Sequence, residues 1–215
     1  MTRCRTAILA AMFAAAGASA VLAQDSNEFW PEAQYHYWFD DRTRAIAMAA
    51  VSRDMASNAN YQAEEGLTLE HRFADFLLGR IGYRHGGATD GDPFNENRLL
   101  TEQTLRLHLP SLVIVDVRNR QDFRWLDTGF SMRFRERIQV QRDVTIDSYT
   151  FTPYASAEVF FDTRYGQFSR YRLTAGVTLP IVRHFSLEPY LVRQVDYVGS
   201  SAIINAVGLI FIAAF

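Results

Sequence analysis

Residues 113–138 read VIVDVRNRQDFRWLDTGFSMRFRERI, and two different compositions occupy alternate positions of this stretch. Asp116, Arg118, Arg120, Asp122 and Arg124 share one parity; Val113, Val115, Val117, Phe123 and Trp125 share the other. Beyond WLDTG the split resumes, with Arg133, Arg135 and Arg137 opposed by Phe130, Met132, Phe134 and Ile138. Successive side chains of a strand point to opposite faces, so the pattern predicts two β-strands joined by a short turn, each with one apolar and one ionised face. A soluble sandwich turns such charges to water and keeps a dry interior. A membrane barrel does the reverse, with an apolar outer band and a polar lumen. Opposite charges packed this densely along one face favour the second arrangement.

The same alternation runs through the chain. Arg98, Glu102, Arg106 and His108 continue the charged face on the preceding segment, and Glu158, Arg170, Arg172 and Glu188 continue it on later ones. Phe151, Ala155, Ala157, Val159 and Phe161 lie opposite Thr152, Tyr154, Ser156, Glu158 and Asp162. Turn signals such as FDDRT, RDMASNAN, HGGATDGDPFNEN, LPS, DTRYGQ and LPIVR separate the runs. About eleven strand candidates result, most of ten to fourteen residues, long against the usual five or six. A tilted strand crossing a bilayer needs about nine to eleven.

The final ten residues, AVGLIFIAAF, are half as long as a membrane-spanning helix requires. Val207, Leu209, Phe211, Ala213 and Phe215 fall on every second position, the last an aromatic. This resembles the C-terminal strand of bacterial outer-membrane barrels, whose terminal aromatic and alternating apolar residues are the signal read by the barrel-assembly machinery; Val207, Leu209, Phe211 and Phe215 would carry it here. The fold expected is all-β: a closed antiparallel up-and-down transmembrane β-barrel of about 10–12 strands.

At the other end, MTRCR followed by TAILAAMFAAAG has the charged and apolar regions of a secretory signal peptide, with cleavage after Ala23. That assigns 1–23 to the signal, exported through the Sec pathway, and 24–215 to a single barrel domain in the bacterial outer membrane. Cys4 precedes the apolar stretch, so the mature chain has no cysteine. All 22 basic residues of the chain are arginines; residues 24–215 hold 20 of them against 24 carboxylates, a balance without a nucleic-acid footprint. The partners implied are outer-membrane lipid, lipopolysaccharide and, during biogenesis, the assembly machinery.

Counting back from a periplasmic Phe215 places turns at Leu179-Pro180, 143–147, Leu109-Pro110 and Ala74-Asp75 on the inner side. The segments 54–60, 86–96, 126–128, 163–167 and 198–202 then face outward. FWPEAQYHYWF (29–39) is left as an odd strand, which predicts either one further strand or a plug or partial strand broken by Pro31; Pro189 predicts a bulge or edge position. Tyr35, Tyr37, Phe39, Tyr83, Trp125, Tyr149, Tyr171 and Tyr197 lie near strand ends, as an interfacial girdle requires.

The stretches NRLLTEQTLRLHLP, VRNRQDFRWLDTGFSMRFRERI, YASAEVFFDTRYGQFSRYRLTAGV and LEPYLVRQVD resemble the bacterial envelope family catalogued as domain of unknown function 2490. The resemblance implies an outer-membrane barrel and carries over no activity, substrate or catalytic residue.

The charged face is therefore the candidate functional feature. Eight strands leave a lumen filled by side chains and sixteen or more leave a channel, so an intermediate barrel is either plugged by its arginine–carboxylate ladder or leaves a narrow, anion-favouring passage. A lipid-modifying hydrolase is the rival from another class: His184, Ser186 and Glu188 resemble the His-x-Ser pairing of lipid A deacylases. A secreted soluble barrel that binds a ligand gives the same alternation. The five histidines are scattered without a metal-ligand spacing, and no cofactor is expected.

Overall fold

A computed structural model describes residues 24–90, 94–198 and 202–215; the signal peptide expected over 1–23 lies outside these residues. The strands in chain order are β1 (Gln24–Trp38), β2 (Thr43–Asp54), β3 (Ala59–Ala74), β4 (Leu77–Ala88), β5 (Asn95–Leu109), β6 (Val113–Leu126), β7 (Gly129–Arg142), β8 (Val144–Ile146), β9 (Tyr149–Asp162), β10 (Gln167–Val182), β11 (Phe185–Asp196) and β12 (Ala202–Ala214). Each of β1–β7 and β9–β12 pairs with its neighbour and β12 returns to β1, so the described residues close a barrel of eleven strands. β8 stands outside the ring as a three-residue partner of β9.

One pairing departs from the antiparallel expectation. β1 and β12 run parallel, in register from Gln24–Ala202 to His36–Ala214. An odd number of up-and-down strands forces this, because the first and last then point the same way. The odd segment, expected to mean either one further strand or a plug or partial strand, is a complete strand and half of the closing seam. Pro31 is accommodated because the β1–β2 ladder skips from Phe29 to Glu32, where proline has no N–H to donate. Pro189 sits inside the sheet, without a bulge: the β10–β11 ladder passes over it between Gly176–Tyr190 and Leu179–Leu187. The bulge lies instead at Pro180/Val182, and LPIV belongs to β10 rather than to a turn; the chain reverses at 183–184.

The other turns have local causes. The Asp40 carboxylate accepts hydrogen bonds from the backbone N–H groups of Arg42 and Thr43, both at 2.7 Å, and these hold its carboxyl below the ordinary range. At the opposite end of the barrel Gly129 has φ 114°, a conformation open to glycine alone among common residues. We call the end bearing Phe215 the terminal rim and the end bearing 55–58, 89–90, 127–128 and 163–166 the loop rim.

The outside is apolar. Tyr35, Tyr37, Phe39, Phe73, Tyr149 and Phe215 are exposed toward the terminal rim, and Tyr83, Trp125, Phe130, Phe168 and Tyr197 toward the loop rim. Between these two bands lie exposed Leu69, Ile81, Leu105, Ile138, Leu173, Leu191, Val207 and Phe211. The seam is sealed at Phe215, whose N–H donates to the His36 carbonyl at 2.9 Å and whose carbonyl accepts from Trp38 N–H at 2.8 Å. Its ring stacks on Tyr35 and on His184.

The interior is of two kinds. From β3 round to β10 the inward face is charged. Around the seam it is mixed: Ile46, Met48, Val192 and Ala206 are buried, and β1 adds buried Glu28 and His36. Apart from Asn205, β12 is apolar on both faces. Tyr190 projects into the lumen over Gly208, where a Cβ would fall within its ring.

Candidate functional site: an arginine-lined lumen

The inward residues of β4–β10 include every charge singled out from the alternation: Arg98, Glu102, Arg106, Asp116, Arg118, Arg120, Asp122, Arg124, Arg133, Arg135, Arg137, Glu158, Arg170, Arg172 and, on β11, Glu188. Register brings many of the arginines face to face. Arg98 opposes both Arg84 and Arg124, Arg118 opposes Arg137, and Arg120 opposes Arg135. Like charges directly across a ladder repel. The length and planar fork of arginine resolve this, because each guanidinium can reach a carboxylate one row away.

The result is a continuous chain of ion pairs across the middle of the lumen. Arg44 binds Glu70 at 2.7 Å, and Arg80 joins Glu70 to Glu102, the second contact at 3.0 Å. Arg118 joins Glu102 (3.6 Å) to Glu158 (2.5 Å), Arg135 joins Glu158 (2.8 Å) to Asp122 (3.8 Å), and Asp122 binds Arg120 (2.7 Å) and Arg133 (2.8 Å). Asp122 is 0% exposed and Glu102 3%, so these pairs are withdrawn from solvent. A second tier nearer the loop rim runs Arg84–Glu64–Arg98–Glu96–Arg124–Asp162, with contacts of 2.5–3.2 Å. Arg106–Asp116 and Arg170–Asp196 are separate pairs at 2.7 and 2.5 Å.

Three of the expected residues make no ion pair among the described residues. Glu188 accepts hydrogen bonds from Tyr154 at 2.6 Å and Thr178 at 3.1 Å instead of an arginine. Arg137 has no carboxylate within ion-pair distance among the described residues. Arg172 donates twice to Gln194, at 2.6 and 3.0 Å, and its guanidinium lies over Trp30 at 5.1 Å and Phe160 at 5.4 Å. Phe160 is 1% exposed and is surrounded by Arg133, Arg135, Arg170 and Arg172, whose guanidinium carbons stand 4.7–5.7 Å from its ring centre. The electron-rich ring faces help to hold this concentration of positive charge.

Toward the loop rim the lumen widens into a vestibule of about 730 Å³. Its wall carries ten arginines (84, 98, 118, 120, 124, 133, 135, 164, 170, 172) against four carboxylates, Glu32, Glu64, Glu96 and Asp127. One Arg120 guanidinium nitrogen is buried without a hydrogen-bond partner among the described residues. Nine of the ten arginines are ion-paired, and five carboxylates of those pairs (Glu102, Asp122, Glu158, Asp162 and Asp196) stand behind the wall, so the cavity surface offers guanidinium N–H donors to an anion over a nearly balanced charge.

Sequence reading passed over Phe160, Trp30, Arg80, Arg84 and Glu64, and counted Glu96 in an outer loop, whereas it is buried on β5. Parity alone could have found Phe160, which stands between inward Glu158 and Asp162, and Arg80 and Arg84, which alternate with Ile81 and Tyr83. His184 and Ser186 form no hydrogen bond with each other. The imidazole Nδ1 lies 2.7 Å from the Ala214 carbonyl, and the ring stacks on Phe215 at 4.8 Å. Among the described residues no group of three or more His, Cys, Asp or Glu is arranged to hold a metal ion.

Two solved structures share the architecture. The β domain of the Bordetella autotransporter Brka superposes with a TM-score of 0.51 at 14% identity, covering 83% of this chain and 86% of that one. LpxR from Salmonella typhimurium superposes with a TM-score of 0.55 at 8% identity, covering 85% of this chain and 87% of that one. At such identities the likeness concerns the barrel fold alone. No curated protein matches the chain. Residues 27–203 match the family described as protein of unknown function (DUF2490), and with most of its length matched the chain belongs to that family.

Proposed function

We propose that the chain is a bacterial outer-membrane β-barrel acting as a small, partly occluded passive channel for anionic solutes. The observation that carries this reading is the vestibule, whose surface presents ten guanidiniums, with Arg172 lacking a carboxylate partner among the described residues, seated on a mid-lumen belt of buried ion pairs. The vestibule draws anions in and lowers their desolvation cost; the belt narrows the way beyond it. Two aromatic bands separated by exposed aliphatic side chains support a membrane setting, with lipid and lipopolysaccharide as surroundings. The likeness to two barrels of known structure points the same way. In this reading 1–23 direct export through the Sec pathway, and the strand ending at Phe215 is recognised by the assembly machinery.

The test is conductance of the refolded 24–215 chain in planar bilayers under a salt gradient, with Arg137→Gln/Arg172→Gln as the comparison. Neither arginine has a carboxylate ion-pair partner of its own, so both can be neutralised without stranding a buried carboxylate. Discrete steps with anion preference, reduced in the variant, are expected. Confirmed insertion without steps would overturn the passage and leave a structural envelope barrel.

A further inference from the structure

Five polar side chains cluster on β5–β7 in the apolar band outside the barrel, away from the outward Arg193–Asn205 pair of β11 and β12, and take no part in the lumen. Thr101 and Gln103 on β5, Asn119 and Gln121 on β6, and Glu136 on β7 all lie on the outward parity near the middle of their strands. Register sets them side by side: Thr101 opposes Gln121, while Gln103, Asn119 and Glu136 form one continuous row. The next outward row toward the loop rim is Leu99, Phe123 and Met132, and the next toward the terminal rim is Leu105, Val117 and Ile138. The cluster is a polar island inside an apolar belt.

Its hydrogen bonds run in one direction. The Thr101 hydroxyl donates to Gln121 Oε1 at 2.6 Å, the Gln121 amide donates to Asn119 Oδ1, and the Asn119 amide donates to Glu136 Oε1. The chain thus ends on a carboxylate with its second oxygen open. At the other end of the row the Gln103 amide, also exposed, makes no hydrogen bond with the described residues. In hydrocarbon an unsatisfied donor and a carboxylate are both costly, and polar side chains on lipid-facing surfaces serve as contact points between spanning elements.

We infer that this island is the contact face between two copies of the chain within the membrane. The two open groups are one donor and one acceptor, set at the left and right ends of a single row. A two-fold axis parallel to the barrel axis and in front of β6 lays β5 of each copy against β7 of the other. The Gln103 amide then donates to Glu136 of the partner subunit, and the same bond forms a second time by symmetry. An isologous interface requires such self-complementarity. The island supplies a carboxylate and no cation, so its own amide is the donor at hand. The inference rests on the outward face lying in lipid.

Residues 24–215 contain no cysteine, which permits single-cysteine cross-linking in native membranes. Val117→Cys places a thiol on β6 beside the island, and Leu173→Cys places one on outward β10 away from it. Under a mild oxidant Val117→Cys is expected to give a disulfide-linked dimer and Leu173→Cys none. Adding Gln103→Leu/Glu136→Leu removes both symmetric hydrogen bonds and should weaken association roughly tenfold. Cross-linking no stronger than at Leu173→Cys, linkage only to a different protein, or persistence in the Leu variant would each overturn the inference. Membrane flotation and heat-modifiable migration are scored on the same samples. Chain that fails to float overturns the membrane reading itself, whereas floated barrel without cross-links overturns only the dimer.

Discussion

Replacing Asp122 with asparagine tests whether the lumen network is dry. The carboxylate is shared by Arg120 at 2.7 Å, Arg133 at 2.8 Å and Arg135 at 3.8 Å, and no part of the residue is exposed. Asparagine keeps the shape and one acceptor oxygen but removes the charge that three guanidiniums share. Losing two direct charge-assisted hydrogen bonds at about 1.5–3 kcal/mol each gives roughly 3–6 kcal/mol. Breaking a buried pair from one side gives about 3–5 kcal/mol by an independent route. The two agree because most of the penalty is the same: cations left in a space with little water. Arg164→Gln is the comparison, since Arg164 is about one third exposed and meets Asp162 at 3.4 Å near the loop rim. A solvent-screened pair of that kind contributes about 0–1 kcal/mol. Urea titration of both variants in lipid vesicles, followed by tryptophan fluorescence, measures the difference. Should Asp122→Asn cost no more than Arg164→Gln, the ladder is hydrated and screened, and the belt is not an occlusion.

Two further outcomes follow from particular contacts. Gly208→Val should prevent folding at moderate urea because its side chain would occupy the space of the Tyr190 ring; Gly208→Val/Tyr190→Ala should recover part of the loss, and no recovery would dissociate the two positions. Removal of Phe215 takes away its hydrogen bonds to His36 and Trp38 and its stacking on Tyr35 and His184, so the yield of heat-modifiable barrel in outer-membrane fractions should fall. Unchanged yield would mean that the seam and the assembly machinery do not depend on this residue.

Much of the barrel is visible in the bare sequence because side-chain direction in a strand is a local property with a period of two. Asp116 to Arg124 share a face whatever the rest of the chain does, and so do Val207 to Phe215. Turn chemistry at FDDRT or WLDTG is equally local. The charged face, the apolar face and the aromatic strand ends follow from these alternations.

What lies between strands is a different matter. Pairing in the register Arg120–Arg135 and Arg118–Arg137 forces the carboxylates to serve their arginines diagonally, and no single strand contains that information. The parallel β1–β12 seam depends on the total number of strands, a property of the closed ring; hence FWPEAQYHYWF looked like a broken fragment and is half of the closure. The vestibule around Phe160 and the polar island ending at Glu136 likewise exist only where distant strands are brought into register. Local alternation determines which way each side chain points. Closure of the sheet alone decides what it meets.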